Sequence, residues 1–231
     1  MSTSDSIQYY PLGDSAIVIN FGDAISENIN TLIQKVTSSL DTLKAPQIIE
    51  YVPAFTTITI YYNPVVTTYD EIVHAVHQLL RNLPEDQEKT STTKEIPVWY
   101  NGPDLEYVAS HTGLSQEEVI RIHSEQIYLV YMIGFAPGFP YLGGMDKRLA
   151  TPRKEIPRIK IEAGAVGIAG EQTGVYPMET PGGWQIIGQT PLNLFDFRRD
   201  TPALLKSGDQ IYFVPVEVDE FLEIKEKEYG D

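Results

Sequence analysis

Six of the chain's 17 lysines and arginines fall between residues 147 and 160: Lys147, Arg148, Arg153, Lys154, Arg158 and Lys160, against the single carboxylate of Glu155. A compact positive excess suits a carboxylate or phosphate ligand, and arginine adds a planar two-pronged donor. Pro152 and Pro157 stiffen this strip between two glycine-rich segments. Three further segments complete a candidate concave surface. Gly134-Phe-Ala-Pro-Gly-Phe-Pro-Tyr-Leu-Gly-Gly144 combines rigid turns with three aromatics, Gln172-Thr-Gly174 supplies uncharged donors, and Pro181-Gly-Gly-Trp-Gln185 sets a tryptophan beside a glutamine on a tight turn. Aromatics with a few polar groups describe a small-molecule pocket. They describe the apolar centre of a protein interface equally well.

The same region lacks the usual nucleophiles. The chain has no cysteine, and no serine occurs between Ser124 and Ser207. This excludes a thiolate nucleophile or thiolate metal site, and a nucleophile elbow within the glycine-rich region. Gly164-Ala-Val-Gly-Ile-Ala-Gly170 has a glycine every third residue, yet no Gly-Lys-Ser/Thr follows. It therefore fails both the phosphate-loop and the dinucleotide patterns, and reads as paired strands whose backbones approach closely. The four histidines, His74, His77, His111 and His123, all precede this region. His74 and His77 read as half-exposed helix residues rather than metal ligands, while His111 and His123 belong to a helical lead-in.

With 17 Lys+Arg against 32 Asp+Glu, the 231-residue chain carries a net charge of −15. That repels phosphate backbones and anionic lipid, so neither nucleic acid nor membrane is an expected partner. The apolar run from Ile127 to Ile133 is too short to span a bilayer, and Met1-Ser-Thr-Ser-Asp-Ser lacks the features of a signal peptide. A cytoplasmic protein is expected.

The elements that would carry these residues follow from periodicity. Ala16–Phe21, Gln47–Val52 and Thr56–Tyr62 read as strands. Ser26 caps a helix with Ile29, Leu32, Ile33, Val36, Leu40 and Leu43 on one face, and Thr68 with Glu71 opens a second helix. Ile96–Tyr100 completes a β-α-β-β-α-β order, the ferredoxin-like arrangement, or else serves as the join to the second domain. The polar stretch Pro84–Thr93 is the expected seam between a domain at 1–90 and another at 91–231. Two short helices around Gly113, with a capping box at Ser115-Gln-Glu-Glu118, imitate a DNA-reading helix-turn-helix. Glu117, Glu118 and one Arg121 are the wrong chemistry for phosphate contacts. From Ile127 onward, short strands alternate with Gly/Pro turns, the pattern of a β-barrel or sandwich. The tail 217–231 reads as a short packed helix or a frayed end.

The segments Gly134–Gly144, Pro152-Arg153, Pro157-Arg158, Ala163–Gly174, Pro181-Gly-Gly-Trp184 and Thr190-Pro191, in this order, resemble the family of allophanate hydrolase subunit 1 and the B subunit of bacterial 5-oxoprolinase, which includes the KipI-type inhibitor of a histidine kinase. Leu12-Gly-Asp-Ser-Ala16 and Phe21-Gly-Asp23 are similar to its N-terminal pattern. The resemblance implies an α+β protein with a small N-terminal α/β domain and a cyclophilin-like β-barrel. It implies a second carboxyltransferase-like subunit and a third oxoprolinase subunit as partners, with ATP as co-substrate of the complex and a small carboxylate, 5-oxoproline, as substrate. On that reading Arg153 and Arg158 hold the carboxylate or a phosphorylated intermediate. Gln172, Thr173 and Gln185 hydrogen-bond the amide, and Phe135, Phe139 and Trp184 shape the wall. No metal is expected, and no residue is assigned to catalysis. Two alternatives are inhibition of a sensor histidine kinase and a role as allophanate hydrolase subunit 1. The chain departs from the family pattern at Glu162-Ala-Gly-Ala165, where Pro-Ala-Gly-Ser is frequent, and at Gly188-Gln-Thr-Pro191, where Gly-Arg-Thr-Pro is frequent.

Overall fold

A computed structural model describes residues 7–43, 45–83 and 93–230. The chain divides into two compact units, 1–90 and 91–231. Most of the expected seam, residues 84–92, lies outside the described residues.

In the first unit β1 (Gln8–Leu12), β2 (Ala16–Asn20), β3 (Ile48–Pro53) and β4 (Thr57–Tyr62) form an antiparallel sheet in the order β1-β2-β4-β3. Period-2 alternation turns Ile17 and Ile19 of β2, and Ile58, Ile60 and Tyr62 of β4, into the core. The helices α1 (Glu27–Thr42) and α2 (Tyr69–Arg81) contribute Ile33, Val36 and Leu40, and Ile72 and Val76, to the same core. Their starts are chemically fixed. The Ser26 hydroxyl accepts the Ile29 N–H at 3.2 Å, and Thr68 and Glu71 complete a reciprocal capping box.

One expectation is corrected here. The segment expected as the last strand of the β-α-β-β-α-β order is β5 (Thr93–Val98), and it pairs in parallel with β13 (Gln210–Pro215) in the second unit. The fourth place in the first sheet belongs instead to β1, a mostly exposed edge strand containing Pro11. Its lack of apolar alternation hid it from pattern reading.

The second unit is built on a seven-stranded sheet. Besides β5 and β13 it holds β6 (Tyr128–Ile133), β7 (Pro140–Gly143), β9 (Ala165–Ala169), β10 (Gln172–Val175) and β12 (Gln185–Gln189), in the order β12-β9-β10-β7-β6-β13-β5. Trp99, just past β5, exchanges backbone hydrogen bonds of 2.9 Å in both directions with Gln189 of β12. The two edges of the sheet therefore meet at this bridge, and the sheet is a nearly closed barrel. A separate ribbon pairs β8 (Arg158–Ile161) with β11 (Thr180–Gly182). The helices α3 (Leu105–Thr112) and α4 (Gln116–Ser124) bury Leu105, Val108, Val119 and Ile122 in the barrel's core cluster, which accounts for their apolar spacing without DNA. The acidic tail forms α5 (Val218–Tyr229), tied down by Phe221 against Trp99 at 5.6 Å. No helix among the described residues is long and apolar enough to cross a membrane.

Candidate functional site

The barrel unit contains a cleft of about 220 Å³. Its apolar side is Pro103, Ile161, Ala165 and Ile186; its polar side is Asn101 and Gln189, with Arg158, Lys160 and Glu162 at the charged end. Two local features shape it. β12 carries a bulge between Ile186 and Gly188, which redirects the strand beside the opening. The segment 101–104 is laid directly onto that strand: Gly102 N–H donates to the Ile187 carbonyl at 3.1 Å, and Asp104 N–H to the Ile186 carbonyl at 2.9 Å. Only glycine permits this approach, because a Cβ at 102 would lie 2.3 Å from the Ile186 carbonyl oxygen.

Asp104, which sequence reasoning passed over, is the hub of the charged end. The residue is 4% exposed. One carboxylate oxygen accepts from Arg158 at 2.7 Å and from Lys154 at 3.1 Å, and the other accepts the Ile186 N–H at 2.7 Å. Burial pushes its pKa up, but the Arg158, Ile186 and Lys154 hydrogen bonds and the Arg158 charge outweigh burial and hold it below the ordinary carboxylate value. Sitting just before α3 it has the position of a helix cap, yet its side chain makes no cap bond because it is turned to the cations. Its place in Asn-Gly-Pro-Asp ahead of an apolar helix was the one available signal, and that signal pointed to a turn.

Internal pairing changes the meaning of the cationic strip. Lys147 reaches Glu171 at 3.8 Å, Arg148 reaches Asp146 at 2.7 Å, and Lys160 reaches Glu179 at 2.7 Å and Glu162 at 3.1 Å. Lys154 and Arg158 share Asp104. Among the described residues Arg153 alone of the six has no carboxylate partner; it is exposed, with its guanidinium 6.0 Å from the Trp184 ring centre.

The other expected site residues separate into two groups. Phe139 (1% exposed) and Trp184 (5% exposed) are buried in an aromatic cluster with Tyr176. Ile161, Ala165 and Ile186 belong to this cluster and also line the cleft, so the two aromatics support the cleft wall from behind. Phe135 is exposed and meets Phe139 edge to face at 5.5 Å. Gln185 is buried, donating to the Pro152 carbonyl at 2.9 Å, and Gln172 is half-buried at the start of β10. Neither glutamine lines the cleft. Thr173 is wholly buried and serves a different structure. Its hydroxyl donates to the Gly167 carbonyl at 3.0 Å and lies 2.9 Å from His123 Nε2, whose Nδ1 is 2.8 Å from the Tyr100 hydroxyl. With the threonine proton committed to Gly167, Nε2 carries the imidazole proton and Tyr100 donates to Nδ1. Burial lowers the His123 pKa to about 3, which keeps this relay neutral. Elsewhere, His111 stacks on Tyr107, the His77 ring lies tilted against Tyr9, and His74 contacts Gln78.

Residues 7–205 match the family model described as carboxyltransferase domain, subdomain C and D. The chain is 45% identical to the B subunit of 5-oxoprolinase from Bacillus subtilis over 95% of its own length and 97% of the relative's. It is 42% identical to the B subunit of 5-oxoprolinase from Escherichia coli O157:H7, covering 89% and 94%. The chain belongs to the family of 5-oxoprolinase B subunits. In solved structures, it is similar to TTHA0988 with a TM-score of 0.80 and 37% identity over 87% of its length, and there it spans only 40% of the other chain.

Against that family, the departures noted in the sequence fall together. Glu162 and Ala165, in place of the frequent proline and serine, and Gln189, in place of the frequent arginine, all line the cleft. Gln189 donates to the Ala163 carbonyl at 3.0 Å, so its amide is oriented.

Proposed function

We propose that this chain is the B-type subunit of an ATP-dependent 5-oxoprolinase, which hydrolyses 5-oxo-L-proline to L-glutamate and acts with a second carboxyltransferase-like subunit and a third oxoprolinase subunit. The full-length identity to 5-oxoprolinase B subunits carries this reading. The cleft supports it chemically. Lys160 offers a cation to the substrate carboxylate, and Asn101 and Gln189 offer amide donors and acceptors to the lactam. Pro103, Ile161, Ala165 and Ile186 face its methylenes. Hydrolysis breaks the lactam C–N bond and adds water at the carbonyl carbon, with ATP consumed by the complex. Among the cleft residues the only carboxylate is Glu162, exposed and paired to Lys160. On this reading the chain binds and orients substrate, while the partners supply the nucleotide site and the ring-opening groups. We read the barrel as cyclophilin-like, the first unit as a ferredoxin-like variant completed by β1, and the setting as cytoplasmic. Of the aromatics on which a kinase-inhibiting surface would draw, Phe139 and Trp184 are buried and Phe135 is exposed.

The test is co-purification of the three subunits followed by an assay for glutamate. The complex releases glutamate from 5-oxoproline only with ATP present, and an intact complex that releases none overturns the proposal.

A further inference from the structure

Phe135 is the one non-glycine residue with positive φ among the described residues, at 68°. The Ala136 N–H donates to the Gly134 carbonyl at 2.8 Å, which closes a γ-turn centred on Phe135. A γ-turn with positive central φ is rare and strained, and a bulky side chain makes it more so. The ring recovers little for this strain, since Phe135 is 65% exposed. The turn is nevertheless held firmly. Gly134 N–H donates to the Phe139 carbonyl at 3.1 Å, Phe139 N–H donates to the Ala136 carbonyl at 3.0 Å, and Pro137 stiffens the span. At Gly138, with φ 80°, a Cβ would stand 2.9 Å from the Phe195 Cβ, so the loop is backed closely by that segment. Two residues further on, Phe197 is 81% exposed.

An apolar ring kept largely in water by a strained, rigid support adds little to the fold beyond its edge contact with Phe139. It has the properties of an interface anchor: large area, little side-chain freedom left to lose, and a fixed aim. A second observation points to the partner's chemistry. Phe135, Phe139, Trp184 and Arg153 are linked by successive contacts of 5.5, 5.5 and 6.0 Å, with the middle two rings buried beneath the exposed pair. Among the described residues, the strip's one cation without a carboxylate partner thus rests on the same aromatic cluster that carries the exposed ring. A surface complementary to both has an apolar pocket and an acidic rim.

We propose that Phe135 anchors this chain to its second carboxyltransferase-type subunit, entering an apolar pocket whose acidic rim faces Arg153. The partner's identity rests on the function proposed above. TTHA0988, in which this fold is accompanied by further chain, supports a protein occupant. The experiment uses the full chain and the cognate second subunit. Phe135→Gly and Phe135→Ala both remove the ring, but only glycine relieves the strain. Phe135→Gly therefore melts higher than Phe135→Ala, and both bind the second subunit at least about tenfold more weakly than wild type. Phe135→Tyr keeps binding within about threefold, and Arg153→Glu slows association at low salt. Either truncation binding within threefold of wild type overturns the proposal. So does a glycine variant no more stable than the alanine variant, or loss of a homodimer, rather than the heterocomplex, in light scattering. A wild-type complex that assembles but yields no glutamate defeats the 5-oxoprolinase reading and leaves the docking result standing.

Discussion

Removing the Asp104 carboxylate tests the electrostatic account of the charged end. In Asp104→Ala, Arg158 and Lys154 lose their shared partner, and the buried Ile186 N–H loses its acceptor. Breaking a buried ion pair from one side typically costs about 3–5 kcal/mol. The Arg158 and Lys154 side chains retain 26% and 32% exposure, so water recovers part of this and about 2–4 kcal/mol is expected. In a protein of this size that lowers the melting temperature by about 5–15 °C. Asp104→Asn keeps an acceptor for the Ile186 N–H, but its NH2 group then faces Arg158 and Lys154 and cannot accept from them, so it recovers only the Ile186 bond, about 1 kcal/mol of the alanine variant's loss. The double variant Asp104→Ala/Arg158→Met removes the stranded guanidinium and regains about 1–2 kcal/mol over the single alanine variant. Urea unfolding at pH 7 measures all three. Because the Asp104 pKa is lowered on folding, its contribution is complete above the ordinary carboxylate pKa and fades as pH falls through the folded value. An alanine variant within about 1 kcal/mol of wild type, or a double variant no more stable than the single, refutes this account.

Other substitutions probe the remaining features. Gly102→Ala drives a Cβ against strand backbone at 2.3 Å, which cannot yield as a side chain would; it costs more than about 3 kcal/mol, seen as a collapsed melting temperature. His123, with its pKa lowered to about 3, contributes fully above about pH 6.5, and this contribution is lost as pH falls toward 3. At pH 5 the wild type has lost about 2 kcal/mol from this group relative to pH 7, a loss that His123→Gln does not show in paired urea titrations. Ala165→Ser with Gln189→Arg restores the residues frequent in the family, adds a cation to the cleft and lowers KM for 5-oxoproline severalfold at unchanged melting temperature; an unchanged KM argues against the cleft as the substrate site.

Local chemistry made some elements readable and left others hidden. The capping pairs at Thr68–Glu71 and Ser115–Glu118 are spelled out over four residues, and both helices start where they do. The alternation Ile58, Ile60, Tyr62 likewise names a strand face. β1 offered no such alternation. β5 was legible as a strand, since Ile96 and Val98 alternate into a core, but which sheet it joins is decided by Ile211 and Phe213, more than a hundred residues away. The sequence groups the aromatic residues together, yet spacing cannot distinguish a ring that lines a cleft from one that supports its wall. Phe139 and Trp184 are of the second kind.

The cationic strip shows the same limit for charge, and pairing energetics then decides between its members. A count along the chain sees six cations and one carboxylate, whereas folding brings in Asp104, Asp146, Glu162, Glu171 and Glu179. A substrate carboxylate in the cleft must therefore compete with carboxylates already present. Displacing Asp104 from Arg158 would leave a nearly buried anion short of its main partner, which is costly. Displacing Glu162 or Glu179 from Lys160 only returns exposed side chains to water, where such pairs contribute little. Lys160 is thus the cation that a ligand can recruit, and Arg158 is a fixed part of the wall. Lys160→Met raises KM for 5-oxoproline about tenfold and leaves the melting temperature unchanged. Arg158→Met lowers the melting temperature as well. If the two substitutions affect KM and stability alike, competition between carboxylates does not set the roles of these cations.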